Sequence, residues 1–182
     1  YFSDKKGRIL TEMSIMKNSE THFTLITAAA AQWHDYELLI NSIEPNSDIS
    51  IEDTSSEIST LIVTGPKSRD LLTSITDADL TLPWLTHQKA TLDSMPVILA
   101  RVSFAGELGW EVHVKNKYLI PIYEKIIRLG AKPFGMFALN SLRIEKGYRA
   151  WKGDLSSDYS ILEAGLERFV RFDKDSDFIG KS

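Results

Sequence analysis

The spacing of hydrophobic and polar residues changes several times along this chain, and each change marks an element. Arg8 to Met16 and His22 to Thr27 are strand-like runs, and the polar stretch between them, 17–21, has a length suited to a hairpin. From Ala28 the period becomes helical. Trp33, Tyr36, Ile40 and Ile43 share one face, Asp35, Glu37 and Asn41 take the others, and the helix has to end before Pro45. Asp48 to Thr54 alternates again and predicts a short strand.

Ser59 to Thr64 predicts a further strand, followed by Gly65-Pro66 and a helix over Lys67 to Ile75. Proline suits the first helical position because it has no N–H to lose there. Leu80 to Asp93, which contains Pro83 and Trp84, predicts an irregular connection. Pro96 to Phe104 and Trp110 to Val114 form a second strand pair joined through 105–109. Tyr118 to Leu129 and Phe134 to Lys146 are helical, the latter closed by Gly147. Hairpins mixed with helices predict an α+β fold with largely antiparallel sheets and helices on one face.

Composition narrows the function. With 182 residues, 43% hydrophobic and 25% charged, the chain can bury one sizeable core or two small ones. A net charge of -4 without a basic run argues against nucleic acid and anionic membrane surfaces, leaving small molecules or proteins as partners. The absence of cysteine excludes disulfides, thiolate metal ligands and a cysteine nucleophile, and fits an intracellular protein. No apolar run approaches the ~18 residues of a membrane span. The chain enters at once into the polar cluster Asp4 to Gly7 and stops on a turn signal at Gly180, so it reads as a piece of something longer.

Nucleotide-binding glycine loops, a nucleophile elbow and metal-ligand spacings are absent, and His22, His34, His87 and His113 are scattered singly. Two segments stand out. In the first, Ser103 to Val114, two glycines allow a tight turn and carboxylates flank an aromatic ring. If Trp110, Val112 and Val114 face the core, Glu111 and His113 lie on the other side, where Glu111 is either a solvated strand residue or a carboxylate at the edge of a pocket. The second is Phe134 to Leu155. Its Arg143 and Glu145 fit no apolar helix face, and Tyr148-Arg149-Ala150-Trp151 alternates aromatic and cationic groups as cation–π packing would.

Together these segments resemble the aminomethyltransferase (glycine cleavage T-protein) family. The resemblance is carried by 103–111 (SFAGELGWE), 138–151 (ALNSLRIEKGYRAW), 162–170 (LEAGLERFV) and 177–181 (DFIGK), in the family's order. The wording is closest to the folate-binding domains of dimethylglycine and sarcosine dehydrogenases. The resemblance implies a tetrahydrofolate site and transfer of a one-carbon unit from an amine donor. FAD would belong only to a fused or partner flavin domain outside this chain.

Residue by residue, the resemblance matches Glu111 to the carboxylate that binds the pterin ring, with Phe104 and Trp110 lining its slot. Phe104 stands where the family usually has tyrosine. Glu12 matches an aspartate that assists transfer and is the candidate acid/base; Thr27 matches a folate-contacting asparagine, and Leu139 an arginine used for the folate tail. The resulting expectation is a GcvT-like fold of two sub-domains. Residues 1–54 form part of the first; residues 55–182 form the second and return to the first, without a C-terminal barrel. The implied compartment is the cytoplasm, or the mitochondrial matrix in a eukaryote. The alternative is a non-catalytic folate-binding or structural module supporting an amine oxidoreductase.

Overall fold

In the computed structural model, which describes residues 1–181, the chain divides into two units: Tyr1–Glu52 with the segment from Arg149 onward, and Asp53–Tyr148. The fold mixes helices with antiparallel sheets, the α+β class that the alternating periods predict.

The second unit is built on a four-stranded antiparallel sheet. Strands β5 (Ile58–Thr64), β6 (His87–Leu92), β7 (Met95–Ala100) and β8 (Gly109–Lys115) lie in the order β5-β8-β7-β6. Side chains alternate across a strand, so Trp110, Val112 and Val114 point to one face with Val63, Val97, Leu99 and Leu92. Helices α2 (Ser68–Thr73) and α3 (Asn116–Arg128) cover that face, contributing Leu72, Ile122 and Ile126 to the core. Helix α4 (Met136–Glu145) buries Leu139 and Arg143. The strand and helix predicted around Gly65-Pro66 are present, the turn held by Ser68 Oγ, which donates to the carbonyls of Gly65 and Leu108.

The first unit holds two small antiparallel pairs. Strand β1 (Phe2–Ser3) pairs with β2 (Ile9–Thr11), and β3 (Ser14–Lys17) pairs with β4 (Phe23–Ile26). A 3-10 turn, Ala29–Ala31, leads into α1 (Gln32–Asn41). Ile9, Leu155, Ala164 and Leu166 form a small core, flanked by Trp151 and Ile161.

Several local expectations give way. The run from Arg8 to Met16 is not one strand: it breaks at Glu12-Met13, and its halves join different two-stranded sheets. Asp48 to Thr54 alternates but finds no partner strand and forms none. Conversely, the supposed irregular connection contains β6, an edge strand paired with β7 throughout. The second hairpin's first strand ends at Ala100 rather than Phe104. On α1, Trp33 and Ile40 are exposed, while the position turned fully inward is Asp35.

Candidate functional site

Of the residues singled out in sequence, Phe104, Trp110 and Glu111 belong to the second unit, and Glu12 and Thr27 to the first. Strand β8 sorts the central pair. Trp110 is completely enclosed in the core, with Arg101 and Arg69 guanidinium carbons 4.9 and 5.8 Å from its ring centroid. Its indole N–H is buried without a hydrogen-bond partner. Burial, with repulsion from Arg69, lowers the Arg101 pKa from its ordinary value. The Arg101 Nη1 donates to the Gly109 carbonyl at 3.2 Å, tying the end of β7 to the start of β8.

Glu111 points the other way. In register with it stand Ile62 of β5 and Ala100 of β7; beside them, His113 stands opposite Thr60 and Ile98. On β6 the same face carries His87, Lys89 and Thr91. Among the described residues of these four strands, Glu111 is therefore the one carboxylate on that face, in a surround of Thr, Ile, Ala and basic groups. Its side chain is one-fifth exposed, and His113 beside it is buried. His113 Nδ1 is 2.8 Å from Thr60 Oγ1, and Nε2 lies 3.3 Å from Glu111 Oε2.

Phe104 sits in the loop that joins β7 to β8. Its ring stacks on Tyr148, with centroids 6.3 Å apart and planes 16° from parallel. Two glycines shape this loop. Gly106 has φ +75°, and a side chain there would run into Lys146; a Cβ on Gly109 would come within 2.9 Å of Thr64 Oγ1. A cavity of about 290 Å³ opens beside the loop, lined by Trp84, Arg101, Ser103, Glu107 and Tyr148 among others.

In the first unit, Glu12 occupies the break between β2 and β3, half-shielded from water. Burial raises its carboxyl pKa above the ordinary carboxylate value, partly offset by the backbone N–H of Trp151. Thr27 follows β4, and its hydroxyl donates to Asp35 Oδ2, while the other Asp35 oxygen lies 2.9 Å from His34 Nδ1. Asp35 was not among the sequence candidates, since its place in the helical pattern gave it a polar face. Among the described residues no cluster of three or more His, Asp or Glu is placed to hold a metal, and no helix is long and apolar enough to cross a membrane.

The second unit thus presents a lone carboxylate on the sheet face opposite α2 and α3, beside a glycine-shaped aromatic loop. The family model of the GCVT N-terminal domain matches residues 1–174, and the chain belongs to that family. It is 34% identical to human mitochondrial dimethylglycine dehydrogenase over 97% of its own length and 21% of the relative's. It is 32% identical to an aminomethyltransferase of Thermoanaerobacter sp. (strain X514), over all of this chain and half of the relative. Mouse mitochondrial sarcosine dehydrogenase is 36% identical over 89% of this chain and 18% of that protein. The chain thus spans half the length of the aminomethyltransferases and about a fifth of the dehydrogenases. A heterotetrameric sarcosine oxidase from Corynebacterium sp. U-96, solved with pyrrole 2-carboxylate, shares the fold at a TM-score of 0.52. It is 18% identical, over 71% of this chain and 66% of that one.

Proposed function

We propose that this chain is the folate-binding part of an enzyme that moves a one-carbon unit from an amine donor to tetrahydrofolate, in the manner of its aminomethyltransferase and dimethylglycine dehydrogenase relatives. The observation that carries the reading is Glu111: one carboxylate, partly shielded, alone of its charge on a sheet face. A pterin presents an amino group and a ring N–H side by side, and a carboxylate held in place accepts from both; bonds of this charged type are roughly twice as strong as neutral ones. The residues fit the cofactor on that count.

Glu111 is the group proposed to hold the pterin. Phe104, already stacked on Tyr148, offers an aromatic face; Trp110, expected to line the slot with it, is instead fully enclosed on the opposite face of β8 and acts from within the core, fixing the strand from which Glu111 projects. When bound, tetrahydrofolate supplies a secondary amine nitrogen that accepts the one-carbon unit. Glu12 is the proposed acid/base, since burial lets it keep a proton to higher pH than a free carboxylate, as proton transfer requires. Thr27 contributes an oxygen whose own proton is committed to Asp35, so it can only accept. The donor would be a small amine of the dimethylglycine or sarcosine kind, and any flavin would sit in a fused or partner domain.

A second reading, a folate-binding or structural module without catalysis, draws on Leu139. At the position that the resemblance matches to a folate-tail arginine, this side chain is apolar and buried and offers no cation. Calorimetric titration of tetrahydrofolate into the full-length chain, wild type beside Glu111→Ala, tests the binding proposal. Saturable binding that weakens at least tenfold in the variant supports it. Equal affinity in the two proteins, or none in the wild type, rules it out.

A further inference from the structure

The imidazole of His113 is buried, titratable and unused by the chemistry above, and it lies against the carboxylate on which that chemistry depends. We infer that His113 is a positioning residue for Glu111, held between Thr60 and that carboxylate in the tautomer that points an N–H at Glu111; the inference rests on the reading of Glu111 as the ligand's carboxylate.

Strand geometry puts the two in reach. Residues 111 and 113 are two apart on β8, so their side chains leave the same face, and Thr60 is the direct cross-strand neighbour of His113 on β5. Thr60 Oγ1 lies 2.8 Å from Nδ1, and Glu111 Oε2 lies 3.3 Å from Nε2. Neutral imidazole carries one N–H and one lone pair, and a hydroxyl can serve as donor or acceptor. If Nδ1 held the proton, the Nε2 lone pair would face a carboxylate oxygen at short range in a site shielded from water. If Thr60 donates to Nδ1, the proton sits on Nε2 and faces an acceptor. Only the second arrangement avoids opposed lone pairs, and it is the one that the carboxylate's charge favours.

The Nε2–H is not yet well aligned: Nε2 makes no hydrogen bond of normal geometry, although it is buried. A buried donor without an acceptor is costly, so a modest rotation of the flexible Glu111 side chain toward it is downhill. One lone pair of Oε2 is then held by His113, and the remaining lone pairs of both oxygens stay available to a ligand. Other charged groups on this face are Lys115, on the same strand, and His87 and Lys89 on β6, separated from β8 by β7. None is another acid that would compete for the Nε2–H. His113 therefore fixes where the carboxylate points before the ligand arrives, which removes an ordering cost from binding.

The test uses the full-length chain and tetrahydrofolate titration in five proteins: wild type, His113→Phe, His113→Gln, Glu111→Gln and the double variant His113→Phe/Glu111→Gln. Glutamine places an amide N–H near the position of Nε2. Expected are a loss on the order of tenfold in affinity for His113→Phe, recovery to within about threefold of wild type for His113→Gln, and no added loss from His113→Phe once Glu111 is already glutamine. Nitrogen-15 NMR of labelled histidine, with the His113 signal assigned by its absence in His113→Gln, should report the Nε2–H tautomer, kept in Thr60→Val because the carboxylate still faces Nε2, with an Nε2 signal that moves in Glu111→Gln. Equal affinity of His113→Phe and wild type, or an Nδ1–H tautomer in the wild type, overturns the positioning role and leaves the folate reading standing. Absence of tetrahydrofolate binding by wild type, together with an Nε2–H signal that moves in Glu111→Gln, keeps the pair and overturns the folate reading instead.

Discussion

Replacing Trp110 by alanine removes the largest side chain fully enclosed in the second unit's core. Deleting a buried Trp costs about 3–5 kcal/mol, through lost transfer energy and the cavity left behind. Loss of the ring beside Arg101 and Arg69 acts in the same direction, since cation–π contacts with desolvated guanidiniums reach about 2 kcal/mol. Against a typical domain stability of about 5–15 kcal/mol, this is roughly a fifth of the total or more. It corresponds to a fall of roughly 12–40 °C in the melting temperature of a domain of this size. Trp110→Phe keeps a ring in the space and should cost roughly 1–2 kcal/mol. Glu111→Gln, on the other face of the same strand, should stay within about 0.5 kcal/mol of wild type. Urea unfolding at 25 °C, followed by far-UV circular dichroism, measures all three. A Trp110→Ala shift below about 1 kcal/mol would refute the packing argument. So would a Trp110→Phe protein that unfolds normally yet no longer binds tetrahydrofolate, because the ring would then be touching ligand.

Glu12→Gln should slow one-carbon transfer by about 10²–10⁴-fold in single-turnover assays, with tetrahydrofolate affinity little changed, and Glu12→Asp should recover part of the rate; equal rates would remove Glu12 from the chemistry. If Glu12 acts as a base, activity should rise with pH through a value above that of a free carboxylate, because burial raises its pKa. Asp77 accepts from the Thr91 N–H and hydroxyl at 3.1 and 3.0 Å, which lowers its pKa and ties the segment before β6 to that strand. Its stabilising contribution should be complete above the unfolded-state pKa, near 4, and lost as pH falls through the lower folded value. The acid limb of a stability-against-pH curve should therefore flatten in Asp77→Ala and stay steep in wild type.

How far the sequence could be read depended on whether local pattern and tertiary partner agree. The junction from Ser59 to Ile75 was legible because a β-prone run, a Gly-Pro turn just before the helix and an apolar helix face all point the same way. Strand β6 was not: its run His87-Gln88-Lys89-Ala90-Thr91-Leu92 has only Leu92 fully buried, as suits an edge strand whose charge discourages further pairing. Asp48 to Thr54 failed in reverse, since alternation predicts a strand only if another strand is there to receive it. The opposed faces of Trp110 and Glu111 followed from the period of two. The His113 contacts did not, because they depend on a cross-strand register that brings in Thr60 from more than fifty positions away.

The alternation along β8 also guards against misfolding. A slip of one residue in its pairing would turn Glu111 and His113 into the apolar core and Trp110 out to the opposite face. A carboxylate in that core would have to give up its charge or remain poorly solvated, at a cost of several kcal/mol, a large share of a typical domain's stability. A strand in the wrong register is thus disfavoured by the same residues that it would misplace. A folded state reached in this register carries Glu111 on the face opposite the core, so the packing of β8 itself selects the side on which the proposed ligand carboxylate stands.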